Sequence, residues 1–272
     1  MVRVMAVALL LAADAGAALP ARAEQDCGSP PQASLDLGTD VAGGGAVTMN
    51  INGRPFKLLV DTGGIFSMLT ESAVDSLGLY RQKIPFGTLS MYGGESLKCF
   101  VLAEDVKLGT MALAKTRFVV MPDDRLPPGI AGTLAPDVLA GFDTEFDFAD
   151  ARLNLYSPRR CGVADRARKD GAKAPIELDS YSHVIVPVQV DGKEAKALLD
   201  TGSSSSLMNL KKAEALFGLK EDSPGMRRSG AADGKHTAFR YPFHALALGV
   251  SPSANPISSS FPTRYRRAAI GT

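Results

Sequence analysis

The sequence predicts an all-β chain built from two copies of one lobe, and three observations lead there. The tripeptide Asp-Thr-Gly occurs twice, as Asp61-Thr62-Gly63 and Asp200-Thr201-Gly202, each time at the end of an apolar run. Those runs are Leu58-Leu59-Val60 and Ala197-Leu198-Leu199. Landmarks on either side repeat in the same register: Gly53 and Gly192, Asp61 and Asp200, and Gly132 and Gly271 are each 139 positions apart. With 27 Gly, 17 Pro and 7% aromatic residues among 272, the composition suits a turn-rich β protein rather than a helical bundle. A period this long is domain duplication, not a solenoid.

Residues 1–23 read as a secretory signal peptide. Arg3 gives the positive start, and Val4 to Ala13 is an apolar stretch too short to span a bilayer. Ala21-Arg22-Ala23 is a small-x-small cleavage site that leaves Glu24 as the mature start. Residues 24–45, rich in Gly, Ser and Pro, form an extended lead-in. The first lobe, 46–161, opens with Val47, Met49 and Ile51 alternating with polar residues, the pattern of a half-buried strand. Asn52-Gly53 is a type I′ hairpin signal, and Phe56 to Val60 returns to deliver Asp61.

A charged, Ala-rich linker spans 162–181, and the second lobe spans 182–272. It repeats the opening with Val186, Val188 and Val190, then Asp191-Gly192, then Ala195 to Leu199. Pro187 lacks a backbone donor, which predicts an edge position for that strand. Short helices are expected at Glu71 to Leu77 and Lys211 to Phe217, each followed by a Gly-Leu pair suited to a C-terminal cap. Met91-Tyr92-Gly93-Gly94 and Ala231-Ala232-Asp233-Gly234 fall where hairpin tips are expected.

Two equivalent carboxylates brought face to face cannot easily both ionise, so one keeps a proton while the other stays charged. The charged member can take a proton from a water held between them, and the protonated one can donate to a substrate carbonyl. That is peptide hydrolysis without a covalent intermediate. A single aspartate followed by glycine is ordinary turn chemistry. Matched registers and the same threonine twice are not explained that way.

The segments Leu58 to Gly63 and Leu198 to Ser203 resemble the active-site loops of aspartic peptidases. Ile130-Ala131-Gly132 and Ala269-Ile270-Gly271 resemble the hydrophobic-hydrophobic-Gly element that crosses beneath each loop in that fold. Phe142 to Phe148 with Leu153 to Tyr156 is similar to the close of a retropepsin-like domain in bacterial two-lobed aspartyl proteases. The resemblance covers nearly everything from Val47 to Thr272. It implies a bilobal acid-protease fold of two duplicated retropepsin-like β-barrel lobes.

It also implies that Asp61 and Asp200 are the catalytic pair, supported by Thr62, Gly63, Thr201, Gly202 and Ser203. Each threonine hydroxyl is expected to bond across to the opposite loop. A serine at the position of Ser203 can bond the outer carboxylate oxygen, whereas Gly64, its counterpart, cannot. Tyr92, Gly93 and Gly94 are candidates for a substrate-covering flap, and Tyr92 reads equally well as an ordinary strand tyrosine. After Gly132 the first lobe continues to Pro158, whereas Gly271 is followed only by Thr272, so the second lobe is expected to be C-terminally incomplete.

The remaining features narrow the function. A net charge of +1 points to neither nucleic acid nor an acidic surface as partner. No later segment is apolar and long enough for a membrane helix, so no stable membrane insertion is expected after signal cleavage. Three cysteines leave one unpaired. A Cys27–Cys161 bridge would tie the ends of the first lobe together, leaving Cys99 as a small hydrophobe or half of another bridge. His183, His236 and His244 lie near no repeated element, and no metal or cofactor is called for. The expected activity is an exported, periplasmic or secreted aspartic endopeptidase acting on peptide or protein substrates. The alternative is a catalytically silent peptide-binding or sensing module on the same fold.

Overall fold

A computed structural model describes residues 30–39, 45–85, 89–91, 95–158, 174–231, 237–249 and 268–271. The signal segment, Cys27, Cys161, His236 and the Tyr92-Gly93-Gly94 tip lie outside them.

The first lobe contains β1 (Ala33–Asp36), β2 (Ala46–Ile51), β3 (Arg54–Val60), β4 (Met68–Thr70), α1 (Glu71–Ser76), β5 (Gln82–Lys83), β6 (Leu89–Ser90), β7 (Ser96–Leu97) and β8 (Cys99–Ala103). It continues through β9 (Val106–Leu108), β10 (Met111–Leu113), β11 (Thr116–Met121), β12 (Gly132–Leu134), α2 (Pro136–Leu139), β13 (Asp143–Asp147) and β14 (Arg152–Tyr156). Nine strands form one sheet in the order β10-β9-β2-β3-β12-β4-β11-β8-β5. A second layer, β1-β14-β13, packs with it. Leu35, Leu153 and Leu155 from that layer join Met49, Leu58, Val60, Leu69 and Phe118 in one buried core.

The second lobe holds β15 (Glu177–Leu178), β16 (Val184–Val190), β17 (Lys193–Leu198), β18 (Leu207–Asn209), α3 (Leu210–Phe217), β19 (Arg227–Ala231), β20 (Thr237–Tyr241), β21 (Leu246–Leu248) and β22 (Ala268–Gly271). They form two four-stranded sheets, β15-β16-β17 with β21 added to β16, and β18-β22-β20-β19.

The two hairpins that lead to the aspartates match closely. Asn52 and Gly53 take φ of 48° and 79°, and Asp191 and Gly192 take 44° and 77°. Two successive positive φ values define the type I′ turn, whose twist suits the flanking strands. The helices match as well. Thr70 caps α1 by accepting from Ala73 N, and Asn209 caps α3 by accepting from Lys211 N. Gly78 and Gly218 close them at φ 62° and 70°.

Four details differ from the sequence expectations. The lead-in contributes β1, which pairs in register with β14, so this stretch is part of the first lobe's second layer. The linker contributes β15, paired with β16. Pro187 is not on an edge strand, because β16 is flanked on both sides. Its carbonyl accepts from Gly249 N at 3.0 Å, and a strand residue's N and C=O face the same side. The missing donor therefore falls at the junction between β15, which pairs Val184 and Ile185, and β21, which pairs Val188 to Val190. The proline forgoes only the bond back to Gly249 that would close the end of the β16–β21 ladder, which is why it is tolerated there.

The fourth difference concerns β22. In the first lobe β12 runs between β3 and β4, with Gly132 opposite both Leu58 and Leu69. Ala268–Gly271 instead pairs in parallel with β18, Leu207 opposite Ala269, and antiparallel with β20. That is the place β11 takes beside β4, where Val119 lies opposite Met68. Among the described residues no other strand occupies that side of β18, and its free backbone groups are satisfied by pairing with β22.

Candidate active site

Each aspartate leaves its strand at an equivalent point. Val60 N donates to Gly45 O at 3.0 Å, and Leu199 N to Val184 O at 2.8 Å, which carries each β3-like strand to its last residue. The two loops then meet through their threonines. Thr62 N donates to Thr201 Oγ1 at 3.1 Å, and Thr201 N donates to Thr62 Oγ1 at 3.0 Å. In return Thr62 Oγ1 donates to Leu199 O at 2.6 Å, and Thr201 Oγ1 to Val60 O at 2.7 Å. Each hydroxyl thus accepts from one residue and donates to another on the opposite loop. Four bonds lock the two turns in a fixed relation.

That lock brings the carboxyl groups of Asp61 and Asp200 into hydrogen-bond contact. Asp61 Oδ1 accepts from Gly63 N at 3.1 Å and Gly64 N at 3.0 Å. Asp200 Oδ1 accepts from Gly202 N at 2.8 Å. Burial, the neighbouring Asp200 charge and the hydrogen bond between the carboxyls push the Asp61 pKa up to about 6, against the opposing pull of the Gly63 and Gly64 amides. One proton is therefore retained in the pair well above the ordinary carboxylate range.

The glycines are required by space. A Cβ on Gly202 would sit 2.5 Å from Asp61 Oδ1, and one on Gly63 would drive into the Asp200 carboxylate. A Cβ on Gly64 would lie 2.9 Å from Asp61 Oδ2. Ser203 departs from the role the resemblance implies. Its hydroxyl donates to Ser205 O at 2.8 Å and accepts from Ser205 N at 3.4 Å. A serine hydroxyl readily closes on backbone two residues ahead, and here that local turn claims it.

This chain belongs to the aspartyl protease family. The family model matches residues 47–134 and 186–256, one stretch in each lobe. Among solved structures, a retropepsin-like aspartic protease from Rickettsia conorii is 19% identical with a TM-score of 0.34, over 45% of this chain and 89% of that one. The EIAV protease in complex with the inhibitor HBY-793 is 25% identical with a TM-score of 0.28, over 35% of this chain and 84% of that one. No curated protein matches.

Tyr92, Gly93 and Gly94 lie outside the described residues; on either side of them Leu89 and Ser90 pair with Leu97 and Ser96, and Met91 N donates to Glu95 O at 2.9 Å at the base of this hairpin. An Arg125–Glu95 ion pair ties that base to the 3-10 turn Asp123–Arg125. Cys99 is a half-buried free thiol. His183 is buried against Asp179, with Nδ1 at 2.8 Å from Oδ2, and His244 contacts Asp191 at 3.3 Å.

Sequence reasoning passed over Ser67 and Asp137. Ser67 is fully buried, and both its N and its Oγ donate to Asp137 Oδ1, at 2.9 and 2.7 Å. Asp137 lies in the first turn of α2 behind Pro136, where an acidic residue is unremarkable in sequence. The one signal was its place five residues beyond Gly132.

Proposed function

We propose that this chain is an aspartic endopeptidase in which Asp61 and Asp200 share one proton and activate a water against a peptide bond. The reciprocal threonine bonds carry the reading, because they hold two carboxyls in contact from opposite lobes. The ionised member takes a proton from the water as it attacks, and the protonated member gives its proton to the substrate carbonyl oxygen. Collapse of the tetrahedral species returns a proton to the leaving amine and restores the pair. An extended substrate lies across the cleft and pairs its backbone with a hairpin strand, which makes the residues around Tyr92 the flap candidates. Neither metal nor organic cofactor enters this chemistry. The signal segment sends the protein outside the cytoplasm, cleaved after Ala23.

The test is cleavage of an unfolded protein by the purified chain. Asp61→Asn and Asp200→Asn should each lower kcat by at least about a thousandfold, because groups acting as a unit fail together. The pH profile should be bell-shaped. Its alkaline limb should begin near 6, since the proton held by burial and by Asp200 is lost as the pH rises through that value. Activity that survives either substitution would sink the reading, and so would activity that dies with a chelator. Peptide binding without turnover would favour the silent module.

A further inference from the structure

We propose that Asp137 is a positioning residue, which through Ser67 clamps the turn carrying Asp61 and keeps the Gly64 amide aimed at that carboxylate. The inference rests on Asp61 being one of the reacting pair. The turn from Asp61 to Ser67 is held at both ends by one short segment. At its start Asp61 N donates to Leu134 O at 2.9 Å. At its end Ser67 donates twice to Asp137 Oδ1, and the Ser67 hydroxyl accepts from Ala135 N at 3.0 Å. The hydroxyl's donor and acceptor are both engaged, so its orientation is fixed. Between the two anchors, Gly64 faces Ala135 closely enough that an added Cβ would touch the alanine Cβ at 3.4 Å. The segment 134–137 therefore sets where Gly64 N points, and Gly64 N donates to Asp61 Oδ1.

Ser206 stands where the repeat places the counterpart of Ser67, and it is exposed where Ser67 is fully buried. Asp200 is exposed as well. Asp137 itself reaches solvent, but its Oδ1 is turned inward onto a serine with no access to water. Ser67 O is held from the other side by Val119 N at 3.0 Å, whereas its N–H has no other described acceptor, so the carboxylate oxygen fixes the two donors of the serine.

The experiment follows the Asp61 carboxyl by carbon-13 NMR titration of the full chain, with Asp61→Asn fixing the assignment, and adds steady-state kinetics. Asp137→Ala and Ser67→Ala should each move the Asp61 midpoint upward, because a loosened Gly64 amide stabilises the charged form less. Asp200 is the titratable group in contact with Asp61, so its resonance is followed in the same spectra. Asp137→Asn keeps an oxygen that accepts both Ser67 donors and should leave the midpoint in place. The double variant should move it no further than either single one. In kinetics, kcat should fall on the order of ten- to a hundredfold with KM nearly unchanged, the scale on which a misplacement of about 1 Å acts.

A merely structural role would lower thermal stability and leave the midpoint alone. An unmoved midpoint in folded Ser67→Ala protein overturns the proposal, even if Asp137→Ala fails to fold. So does an Asp137→Asn variant as impaired as Asp137→Ala. If the wild-type chain cleaves nothing, the peptidase reading fails while the NMR midpoint still decides the clamp.

Discussion

The strand that delivers Asp61 and the strand that delivers Asp200 are near copies, yet one is sunk in a core and the other lies at the surface. Leu58, Leu59 and Val60 are all buried. Their counterparts differ: Ala197 is half-buried, and Leu198 and Leu199 are 40% and 45% exposed. In the first lobe a second layer covers this strand. Leu153 and Leu155 of β14, with Leu139 of α2, share the core of Leu58 and Val60. Among the described residues of the second lobe no such layer is present. Local geometry thus repeats with the sequence, while burial depends on chain far from the repeat. At the site itself, Asp61 accepts from two backbone amides and Asp200 from one.

The largest effect should come from the glycines that face the opposite carboxylates. Gly202→Ala presses on Asp61, which is partly buried and fixed by Gly63 and Gly64, so it cannot yield. Gly63→Ala presses on the exposed Asp200, which has room to turn away. Both variants should lose at least about a hundredfold in kcat. The loss should be greater for Gly202→Ala. Equal losses, or the reverse order, would show that the two carboxylates are equally confined and would break the comparison.

Next in size is the contrast between Leu59→Ala and Leu198→Ala, which change the same position in the two copies. Leu59 is 5% exposed and packs with Ala46 and Ile130, so its truncation should cost about 2–5 kcal/mol. Leu198 is 40% exposed and should cost less than about 1 kcal/mol. Urea unfolding followed lobe by lobe, through amide signals of β3 and β17, would check this. A loss at Leu198 matching that at Leu59 would mean that something covers the second sheet in solution.

Much of this was legible in the sequence, and the reason is the duplication. Asp-Thr-Gly after an apolar strand specifies its turn by itself, and a second copy in register identifies the partner. The type I′ turns and the helix caps follow from Asn52-Gly53, Asp191-Gly192, Gly78 and Gly218, whose backbone demands are local. What was not legible depends on distant pairing. The partner of β1 is 120 residues away at β14, as Ser34 and Asn154 show. Pro187 looked like an edge residue because sequence does not reveal that two short strands share one side of β16. Ser203 matched the family pattern, but its hydroxyl went to the nearer backbone of Ser205. Ser67 and Asp137 were invisible for the opposite reason. Their link spans 70 positions, so no local pattern could flag it.

The smallest effect lies in the hairpin turns, where the two lobes are most alike. Asn52 N donates to Asp105 O at 2.7 Å, and Asp191 N donates to Ala245 O at 3.0 Å. In the first lobe the side chain adds one bond, Asn52 Oδ1 accepting from Asp105 N at 3.3 Å. In the second, Asp191 Oδ1 accepts from His244 N at 2.8 Å and Ala245 N at 2.7 Å, and Oδ2 contacts the His244 ring. Alanine at either site meets the same left-handed backbone, a cost of about 1 kcal/mol. The rest of the loss should differ, because hydrogen bonds to a charged acceptor are worth more than a long neutral one. Asp191→Ala should therefore destabilise its hairpin by about 1 kcal/mol more than Asn52→Ala destabilises its own. Asp191→Asn, which tolerates the same backbone and keeps an acceptor oxygen, should recover most of the difference. Native-state hydrogen exchange at the amides of His244 and Ala245 reads this directly. If they exchange no faster in Asp191→Ala than Asp105 does in Asn52→Ala, the turn geometry alone sets the stability of both hairpins, and the extra bonds of the second lobe contribute nothing.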